Sequence, residues 1–461
     1  MEFCKNQVLT VSINDMGNDG EGIGRFEGYT LFVKDAIPGD VVKAKLTKVK
    51  KNYAYARCEE IITLSSDRTK PFCPDHNRCG GCQIQAMTYE SQLRFKEKKV
   101  KNNLIRIGGI PEHIVESVFE PIIGMDSPMR YRNKSQYPIG EDPAKNPVAG
   151  FYAGRTHCII PRIDCGLSPA ENKEILEIIL GHMRKYHIKP YDESSQNGIV
   201  RHVLIRKGFT TGEIMVCLVI MNKKENKEFL PHQRELTEKL STVSGVTSIC
   251  VSINNENTNV IMGHEIHTIM GKDKISDLLM GKRFEISPLS FYQVNPVQVE
   301  KLYSVVSEYA DLSGTEEVYD ICCGIGTISL CLAEGAGTIH GLEIVPEAIE
   351  DAINNAKENN ITNVDFICAA AEDYLSAHKD EIRADVVILD PPRKGMDGAS
   401  LSAIADISPG RIVYVSCDSA TLARDVKFLT ERDYEIKRVR CTDMFPQTAH
   451  TETVCLMERN R

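Results

Sequence analysis

Three short segments near the C-terminus hold the residue types that covalent catalysis requires. Cys417 follows the apolar run VYVS, Asp390 ends VVILD, and in HTE His450 lies two residues before Glu452. A thiol can attack a substrate, while a carboxylate or an imidazole can move a proton. A free thiol has a pKa of about 8.5, so we expect the site to assist its ionisation. On an extended strand, His450 and Glu452 would point to the same side.

Carbon methylation of a pyrimidine is a reaction that needs such a pair. Uracil C5 is too weak a nucleophile to take a methyl group directly, but a thiolate that adds to C6 makes C5 enolate-like. A base must then remove the C5 proton so that the thiol can leave. The segment LDPPRKG resembles the motif of methyltransferases that act on nucleic-acid bases, with Arg393 in place of the aromatic residue typical of exocyclic-amine methylation. Considered alone, Cys417 could instead be a buried structural thiol.

A glycine loop indicates which cofactor the chain binds. In VYDICCGIGTISL, Gly324 and Gly326 follow Asp320, while the third glycine of a dinucleotide fingerprint would fall at Ser329. Glu343 ends the next predicted strand, where a carboxylate can accept hydrogen bonds from ribose hydroxyls. A carboxylate before the loop disfavours a pyrophosphate and suits a cofactor whose aminoacyl end carries an amine and a sulfonium. The sequence therefore predicts S-adenosylmethionine, with NAD as the alternative.

The elements that must position these groups follow an alternating strand–helix pattern from residue 297 to the C-terminus. Such a pattern predicts a doubly wound, Rossmann-like parallel sheet, whose ligands lie beyond the carboxyl ends of the strands. Asp320, Glu343, Asp390 and Cys417 all stand at such ends. Four polar groups at neighbouring strand ends indicate a functional site.

The rest of the chain divides into two further regions. The start alternates apolar and polar residues with the turns NDGEG and IPGD, and about five short strands there are typical of a small OB-like barrel. The predicted fold class is therefore an α/β methyltransferase domain with an N-terminal OB-like β-barrel and a central α+β domain. The expected domains are 1–62, 63–285 and 286–461.

The charge distribution is uneven. The 461 residues carry a net charge of −9, yet residues 1–110 hold 18 Lys and Arg against 13 Asp and Glu. Basic residues form two clusters, Lys43, Lys45, Lys48, Lys50, Lys51 and Arg57 in the barrel, and Arg94, Lys96, Lys98, Lys99, Lys101 and Arg106 in a predicted helix. Each cluster is either a phosphate-binding surface or a solvated face.

The cysteine content bears on the compartment and on metal binding. No apolar run approaches the roughly 20 residues that span a bilayer, and no secretory signal is evident, so sixteen cysteines indicate a reducing, cytoplasmic setting. Cys73, Cys79 and Cys82 have C-x5-C-x2-C spacing. From this spacing alone, zinc and an iron–sulfur cluster are equally compatible.

Over nearly its whole length, the chain resembles the bacterial 23S rRNA uracil-5-methyltransferases. The segments SFYQVNP, LDPPRKG, SCD and HTE match family motifs in family order. The N-terminal barrel is similar to the RNA-binding TRAM domain. CPDHNRCGGCQ matches the family's iron–sulfur pattern, with a fourth cysteine in PRIDCGLSP.

The resemblance implies roles for individual residues. The S-adenosylmethionine site comprises Gln293, Cys322, Thr327, Glu343 and Asp390. Phe291 stacks on the target base and Asp390 bonds its edge, while Cys417 is the nucleophile and Glu452 the base. A [4Fe–4S] cluster is held by Cys73, Cys79, Cys82 and Cys165, and YRNKSQY with Arg132 and Lys134 is a further RNA surface. Two departures are Cys322, which is aromatic in many relatives, and Gln447, which replaces a histidine of some relatives.

The expected function is S-adenosylmethionine-dependent methylation of uridine C5 in 23S ribosomal RNA by a cytoplasmic monomer. The nearest alternative is a tRNA uracil-5-methyltransferase, which shares the catalytic motifs but is expected to lack the barrel and the cysteine segment. An RNA-binding or assembly protein on an inactive methyltransferase fold is a second alternative. The intact pair of Cys417 and Glu452 argues against it.

Overall fold

The computed structural model describes residues 3–222 and 228–460, which form a barrel and two large sheets. The two sheets share a buried apolar core. Within those residues, no helix combines the length and the apolar character needed to cross a membrane. The predicted fold class, a doubly wound methyltransferase domain with an N-terminal OB-like barrel and a central α+β region, is confirmed.

The N-terminal strands close into a five-stranded barrel. They are β1 Val8–Met16, β2 Gly22–Phe26, β3 Tyr29–Lys34, β4 Val41–Val49 and β5 Tyr53–Thr63. Their order is β1–β2–β3–β5–β4, with β3 and β5 parallel. Leu31, Leu46 and Ala54 are fully buried inside, because successive side chains of a strand point to opposite faces.

The segment after the barrel packs against the C-terminal part of the chain. Its elements are α1 Tyr89–Arg106, α2 Glu112–Val118 and β6 Phe119–Ile123. Thr88 begins α1 by accepting a hydrogen bond from the Ser91 N–H on its side-chain oxygen. Val100 and Leu104 of α1 are buried in the same apolar cluster as Leu422, more than 300 residues later.

A seven-stranded sheet forms the central region. Its strands are β7 Lys134–Glu141, β8 Pro147–Tyr152, β9 Ile159–Pro161, β10 Val200–Lys207, β11 Ile214–Ile220, β12 Val246–Ile253 and β13 Glu265–Gly271. They lie in the order β13–β12–β11–β10–β7–β8–β9. The helices α3 Glu171–Lys185 and α4 Gln233–Leu240 cover one face, and a hairpin of β14 Ile275–Leu279 and β15 Lys282–Ile286 follows.

The C-terminal sheet has eight strands flanked by helices. Besides β6, the strands are β16 Glu317–Ile321, β17 Thr338–Glu343, β18 Val364–Cys368, β19 Val386–Leu389, β20 Arg411–Ser416, β21 Tyr434–Thr442 and β22 Glu452–Arg459. The helices are α5 Pro296–Ala310, α6 Thr327–Leu332, α7 Pro346–Glu358, α8 Ala371–His378, α9 Gly398–Ile407 and α10 Ser419–Thr430. The strand order is β18–β17–β16–β19–β20–β22–β21–β6, and β22 alone runs antiparallel to its neighbours.

A buried ion pair fastens α1 to the loop that precedes β22. Lys96 and Asp443 form a salt bridge in which both side chains are 0% exposed. Tyr89 donates a hydrogen bond to the same carboxylate at 2.9 Å. In the same loop, Gln447 exchanges two hydrogen bonds of 3.0 Å with Gln92. The start of β22 is therefore positioned by polar groups of α1.

Replacement of Lys96 should destabilise the fold strongly. Lys96→Met leaves the Asp443 charge buried without its partner, and we expect a loss of about 3–5 kcal/mol in the free energy of unfolding. Lys98→Met is the matched control, because the Lys98–Asp15 pair is exposed and should contribute no more than about 1 kcal/mol. The double variant Lys96→Met with Asp443→Leu should lose less than Lys96→Met alone. Urea unfolding followed by circular dichroism measures all three, and equal losses for the two single variants would contradict this role.

Candidate active site and RNA interface

Cys417 and Glu452 lie opposite each other at the ends of two paired strands. In the antiparallel pairing of β20 with β22, Ser416 is opposite Thr453, so the next position in this register opposes Cys417 to Glu452. Directly opposed residues of such a pair have β-carbons about 4.5–5.5 Å apart. Glu452 is 4% exposed, whereas Cys417 is partly exposed. The structure thus brings together the thiol and the carboxylate that the sequence predicts as catalytic.

The turn that presents Cys417 is held by its neighbours. Asp418 caps α10, since one side-chain oxygen accepts hydrogen bonds from the N–H groups of Ala420 at 2.8 Å and Thr421 at 3.3 Å. The Ser416 hydroxyl donates to the Asp418 carbonyl at 2.9 Å. The thiol is therefore fixed where a strand passes into a helix.

Burial and neighbouring carboxylates raise the pKa values of the acidic groups in this site. Burial raises the pKa of Cys417 to about 12, and the charges of Glu452 and Asp390 add to that effect. Burial, and then Asp390, raises the pKa of Glu452 to about 8. Burial, and then Asp320, raises the pKa of Asp390 to about 7. The expectation that the site by itself assists ionisation of Cys417 is therefore wrong, because carboxylates outnumber cations around the thiol.

Arg393 is the cation that opposes this trend. Its charge lowers the pKa of Cys417 and that of Glu452, although less than burial raises them. The sequence pattern indicates, through Arg393, only that amine methylation is disfavoured, and it does not predict an effect of this cation on the thiol. Arg393 lies only three residues after Asp390, a predicted site residue. This short separation is the signal that could have placed Arg393 near the thiol.

His450 does not share a strand with Glu452. β22 begins at Glu452, so His450 lies in the preceding loop, and the expectation that both residues extend from one strand is wrong. Burial, followed by the charges of Arg393, Lys99 and Lys96, lowers the pKa of His450 to about 4. The imidazole is thus neutral at physiological pH and a weak base.

Asp320 is a buried carboxylate with one unpartnered oxygen. At the end of β16, its Oδ2 accepts hydrogen bonds from the Ser329 N–H at 3.1 Å and hydroxyl at 2.5 Å. Its Oδ1 has no partner among the described residues, and burial raises its pKa to about 6. A cationic amine at this position would satisfy the free oxygen.

The glycine loop between β16 and α6 leaves an open space beside Glu343. Gly324 has φ of +56°, and no atom lies within 4 Å of the place where its β-carbon would be. The Gly324 N–H donates to Glu343 Oε2 at 3.1 Å, while Oε1 accepts from the N–H groups of Ile344 and Val345. The residues therefore fit a nucleoside-containing cofactor such as S-adenosylmethionine.

The other residues predicted to contact S-adenosylmethionine differ in their exposure and in their existing hydrogen bonds. Gln293 is 8% exposed, and its carbonyl accepts a hydrogen bond from the Asn133 side chain at 2.9 Å. The Thr327 hydroxyl is hydrogen-bonded to the Tyr303 hydroxyl at 2.9 Å. Cys322 adopts φ of +67°, and burial raises the pKa of its thiol to about 12.

The two residues predicted to contact the target base are accessible. Phe291 is 69% exposed, which is unusual for so large an apolar side chain. Asp390 is partly exposed, and its carboxylate accepts no hydrogen bond from the residues that the structure describes. Both side chains are therefore free to meet a ligand.

The four cysteines predicted to hold a cluster surround one cavity. Cys73, Cys79, Cys82 and Cys165 line a space of about 330 Å³ together with residues of the central sheet. Within residues 3–222 and 228–460, no three His, Cys, Asp or Glu side chains are arranged to hold a metal ion. The predicted cluster is therefore not confirmed. Four thiols around one cavity nevertheless fit a multinuclear cluster, since each thiolate then binds a different iron.

Several residues of the two predicted basic clusters are already neutralised. Ion pairs join Lys43 to Glu60, Lys45 and Arg57 to Glu59, Arg94 to Asp67, Lys98 to Asp15, and Lys101 to Glu97 and Glu116. Lys96 is fully buried, so its predicted contact with phosphate is wrong. In the segment YRNKSQY, Lys134 lines the cysteine cavity, and burial lowers its pKa to about 8.

Two sequence profiles match the chain. The profile of tRNA (Uracil-5-)-methyltransferases matches residues 195–460, which is more than half of the 461 residues, and the TRAM domain profile matches residues 2–58. An RNA methyltransferase of Clostridium tetani is 46% identical and covers 98% of this chain and 96% of its own. One of Clostridium acetobutylicum is 44% identical, with coverage of 99% and 98%.

A solved structure shares the whole architecture. The tRNA (uracil-54, C5)-methyltransferase of Pyrococcus abyssi, in complex with S-adenosyl-L-homocysteine, superimposes with a TM-score of 0.76 and 27% identity, covering 97% of this chain and 99% of its own. Only 3% of this chain lies outside the match, so a tRNA enzyme also has the barrel region. The expectation that tRNA enzymes lack this region is therefore wrong as a general rule. The chain belongs to the tRNA (uracil-5-)-methyltransferase family of S-adenosylmethionine-dependent RNA methyltransferases and has a TRAM domain at its N-terminus.

Proposed function

We propose that this enzyme methylates uridine C5 in 23S ribosomal RNA, with Cys417 as nucleophile and Glu452 as base. The observation that carries the proposal is the register of β20 and β22, which opposes the thiol to the carboxylate. The cysteine segment CPDHNRCGGCQ, which resembles that of the ribosomal RNA enzymes, favours ribosomal RNA. The full-length similarity to a tRNA enzyme keeps tRNA as the second candidate.

The proposed reaction assigns one task to each residue. Cys417 gives its thiol proton to solvent and adds through sulfur to uracil C6, which makes C5 nucleophilic. S-adenosylmethionine would supply the methyl group that C5 takes, and S-adenosylhomocysteine would leave. Glu452 then removes the C5 proton, the C5–C6 double bond forms again, and the C6–sulfur bond breaks to release the thiolate. The target base must leave its stack, because C5 and C6 otherwise cannot reach the thiol.

Basicity supports Glu452 over His450 as the proton acceptor. The pKa of Glu452 is raised to about 8, whereas that of His450 is lowered to about 4. A stronger base near neutral pH accepts a carbon-bound proton more readily. Glu452 also directly opposes Cys417, while His450 precedes the strand.

The methyl donor site uses residues on three strand ends. We propose that Asp320 bonds the amine of S-adenosylmethionine, that Glu343 bonds the ribose, and that Gln293, Cys322 and Thr327 line the rest. The unpartnered Asp320 oxygen and the open space over the glycine loop support this assignment. Asp390 contacts the cofactor and the uracil edge, and Phe291 stacks on the base.

The cysteine cavity is proposed to hold a [4Fe–4S] cluster on Cys73, Cys79, Cys82 and Cys165. The four thiols line one space, although within residues 3–222 and 228–460 no three of them are arranged to hold a single metal ion. The cluster would brace the barrel against the central sheet. All sixteen cysteines are free, which supports a reducing compartment such as the cytoplasm. The expected monomer stays a prediction.

Glu452→Gln should trap RNA covalently. The amide keeps the shape of the side chain but cannot take the C5 proton, so addition and methyl transfer proceed and elimination stalls. We expect a denaturant-resistant protein–RNA complex that carries label from methyl-labelled S-adenosylmethionine, and none with Cys417→Ala. Gel migration measures both.

Total RNA as the probe identifies the substrate in the same experiment. Sequencing the trapped RNA should recover 23S fragments, whereas recovery of tRNA would favour the second candidate. His450→Ala is the control for the base assignment. Normal turnover by Glu452→Gln together with a labelled adduct from His450→Ala would show that the wrong residue was assigned.

Alkylation of Cys417 should report the charges around it. Above pH 8, Glu452 is ionised and suppresses the thiolate, so Glu452→Gln should accelerate reaction with iodoacetamide by about tenfold, the factor that one pKa unit produces. Arg393→Leu should slow it, because a cation that favours the thiolate is lost. Peptide mass spectrometry separates Cys417 from the other cysteines, and Glu358→Gln on exposed α7 is the control. Unchanged rates in both site variants would refute this electrostatic coupling.

Anaerobic purification should give brown protein with about four irons per chain, as four thiolate-bound irons require. Replacing Cys165 with Ser should remove the colour, while the exposed Cys158→Ser serves as the matched control. Iron analysis and the visible spectrum measure the result. Stoichiometric zinc without visible absorption would refute the cluster.

A further inference from the structure

Three aromatic rings contact one another on the outside of the barrel. Phe32 of β3 and Tyr53 and Tyr55 of β5 have ring centroids 5.6–5.7 Å apart. All three are partly exposed, and none packs against the apolar core of the barrel. Their neighbours Leu31 and Ala54 fill that core instead. The rings therefore form a surface feature that barrel packing does not explain.

Exposed lysines without acidic partners lie beside these rings. Lys48 is opposite Tyr55 in the β4–β5 register, and Lys50 and Lys51 form the turn between the two strands. These three lysines are exposed and form no ion pair within residues 3–222 and 228–460. Cationic side chains beside aromatic rings suit a chain of phosphates that carries stackable bases.

The β1–β2 turn connects the three rings to the loop that precedes Glu452. The β1–β2 turn adjoins it, since a β-carbon on Gly17 would lie 3.7 Å from the Phe32 ring. Lys99 links the same turn to the loop before Glu452, because its ammonium donates to the carbonyls of Asn18 and Ala449 at 3.0 Å each. A strand of RNA on these rings would therefore lead to the catalytic loop.

We propose that Phe32, Tyr53 and Tyr55 form a stacking site for an unpaired base of the RNA substrate, with the Lys48–Lys51 turn on the adjacent phosphates. OB-like barrels bind oligonucleotides between their first and fourth connections, and the rings lie between the corresponding turns here. The ligand is a single-stranded nucleobase, recognised by its flat face. The inference rests on the proposed action on RNA and adds a second contact outside the catalytic pocket.

A single tryptophan can report stacking directly. The chain contains no tryptophan, so Tyr53→Trp introduces the only one and keeps an aromatic ring in place. A short oligouridylate should quench its fluorescence, whereas an abasic ribose-phosphate oligomer of the same length should not. Equal responses to the two oligomers, or no response to either while the oligouridylate binds, would overturn the stacking site.

Affinity and salt dependence separate stacking from charge. Tyr55→Leu and Phe32→Leu should each weaken binding of the oligouridylate by about tenfold without changing the slope of affinity against salt. Lys50→Ala should reduce that slope by about one, as loss of one phosphate contact requires. Phe428→Leu on α10 is the matched control and should bind as the unaltered protein does.

The covalent trap distinguishes failure of this inference from failure of the proposed function. If Glu452→Gln traps RNA while Tyr55→Leu and Phe32→Leu bind normally, the stacking site is wrong and the function stands. If Glu452→Gln traps no RNA while Tyr53→Trp is quenched by the oligouridylate alone, the barrel site stands without the proposed chemistry.

Discussion

The reversed direction of β22 determines which side chains meet at the candidate active-site edge of the C-terminal sheet. Six other strands of the C-terminal sheet and the added β6 run parallel, so each presents its carboxyl end to the active-site edge. β22 alone presents its first residue there. That reversal opposes Glu452 to Cys417, and it requires the preceding loop to be held at the same edge. The buried pair of Lys96 and Asp443 meets this requirement from α1.

The electrostatics of the site follow from the same geometry. The carboxyl ends of the parallel strands meet at one edge of the sheet. This poorly solvated edge has few cations and holds three carboxyl groups, those of Asp320, Asp390 and Glu452. Each carboxyl is harder to ionise than in water, and the neighbouring thiol is harder still. The shifts favour the protonated forms of Cys417 and Glu452 most strongly. A positive charge close to these groups lowers the pKa of each of them, so a bound sulfonium would favour ionisation of the thiol.

Local patterns in the sequence predicted much of the fold and the strand ends at which the candidate site residues lie. Alternation predicted the barrel and the doubly wound sheet, and strand ends identified Asp320, Glu343, Asp390 and Cys417, because these signals arise within a few residues. Contacts between distant segments were not predictable in this way. The helix of residues 89–106 has the composition of a basic surface helix, yet Lys96 is buried because Asp443 approaches it from the other end of the chain. The charges around Cys417 likewise depend on three separate strands.

The edge strand β6 has a consequence for how the protein is made. The catalytic sheet takes Phe119–Ile123 from the first third of the chain, while its neighbour β21 is synthesised more than 300 residues later. During synthesis on the ribosome, β6 therefore has no β21 to pair with until the whole central region has been made. The C-terminal unit is discontinuous along the gene, so a cut between the central and C-terminal regions removes the strand β6 and the helices α1 and α2 from it. Recombination that exchanges only the C-terminal part would leave an open sheet edge beside Val439, where unpaired N–H and C=O groups favour aggregation.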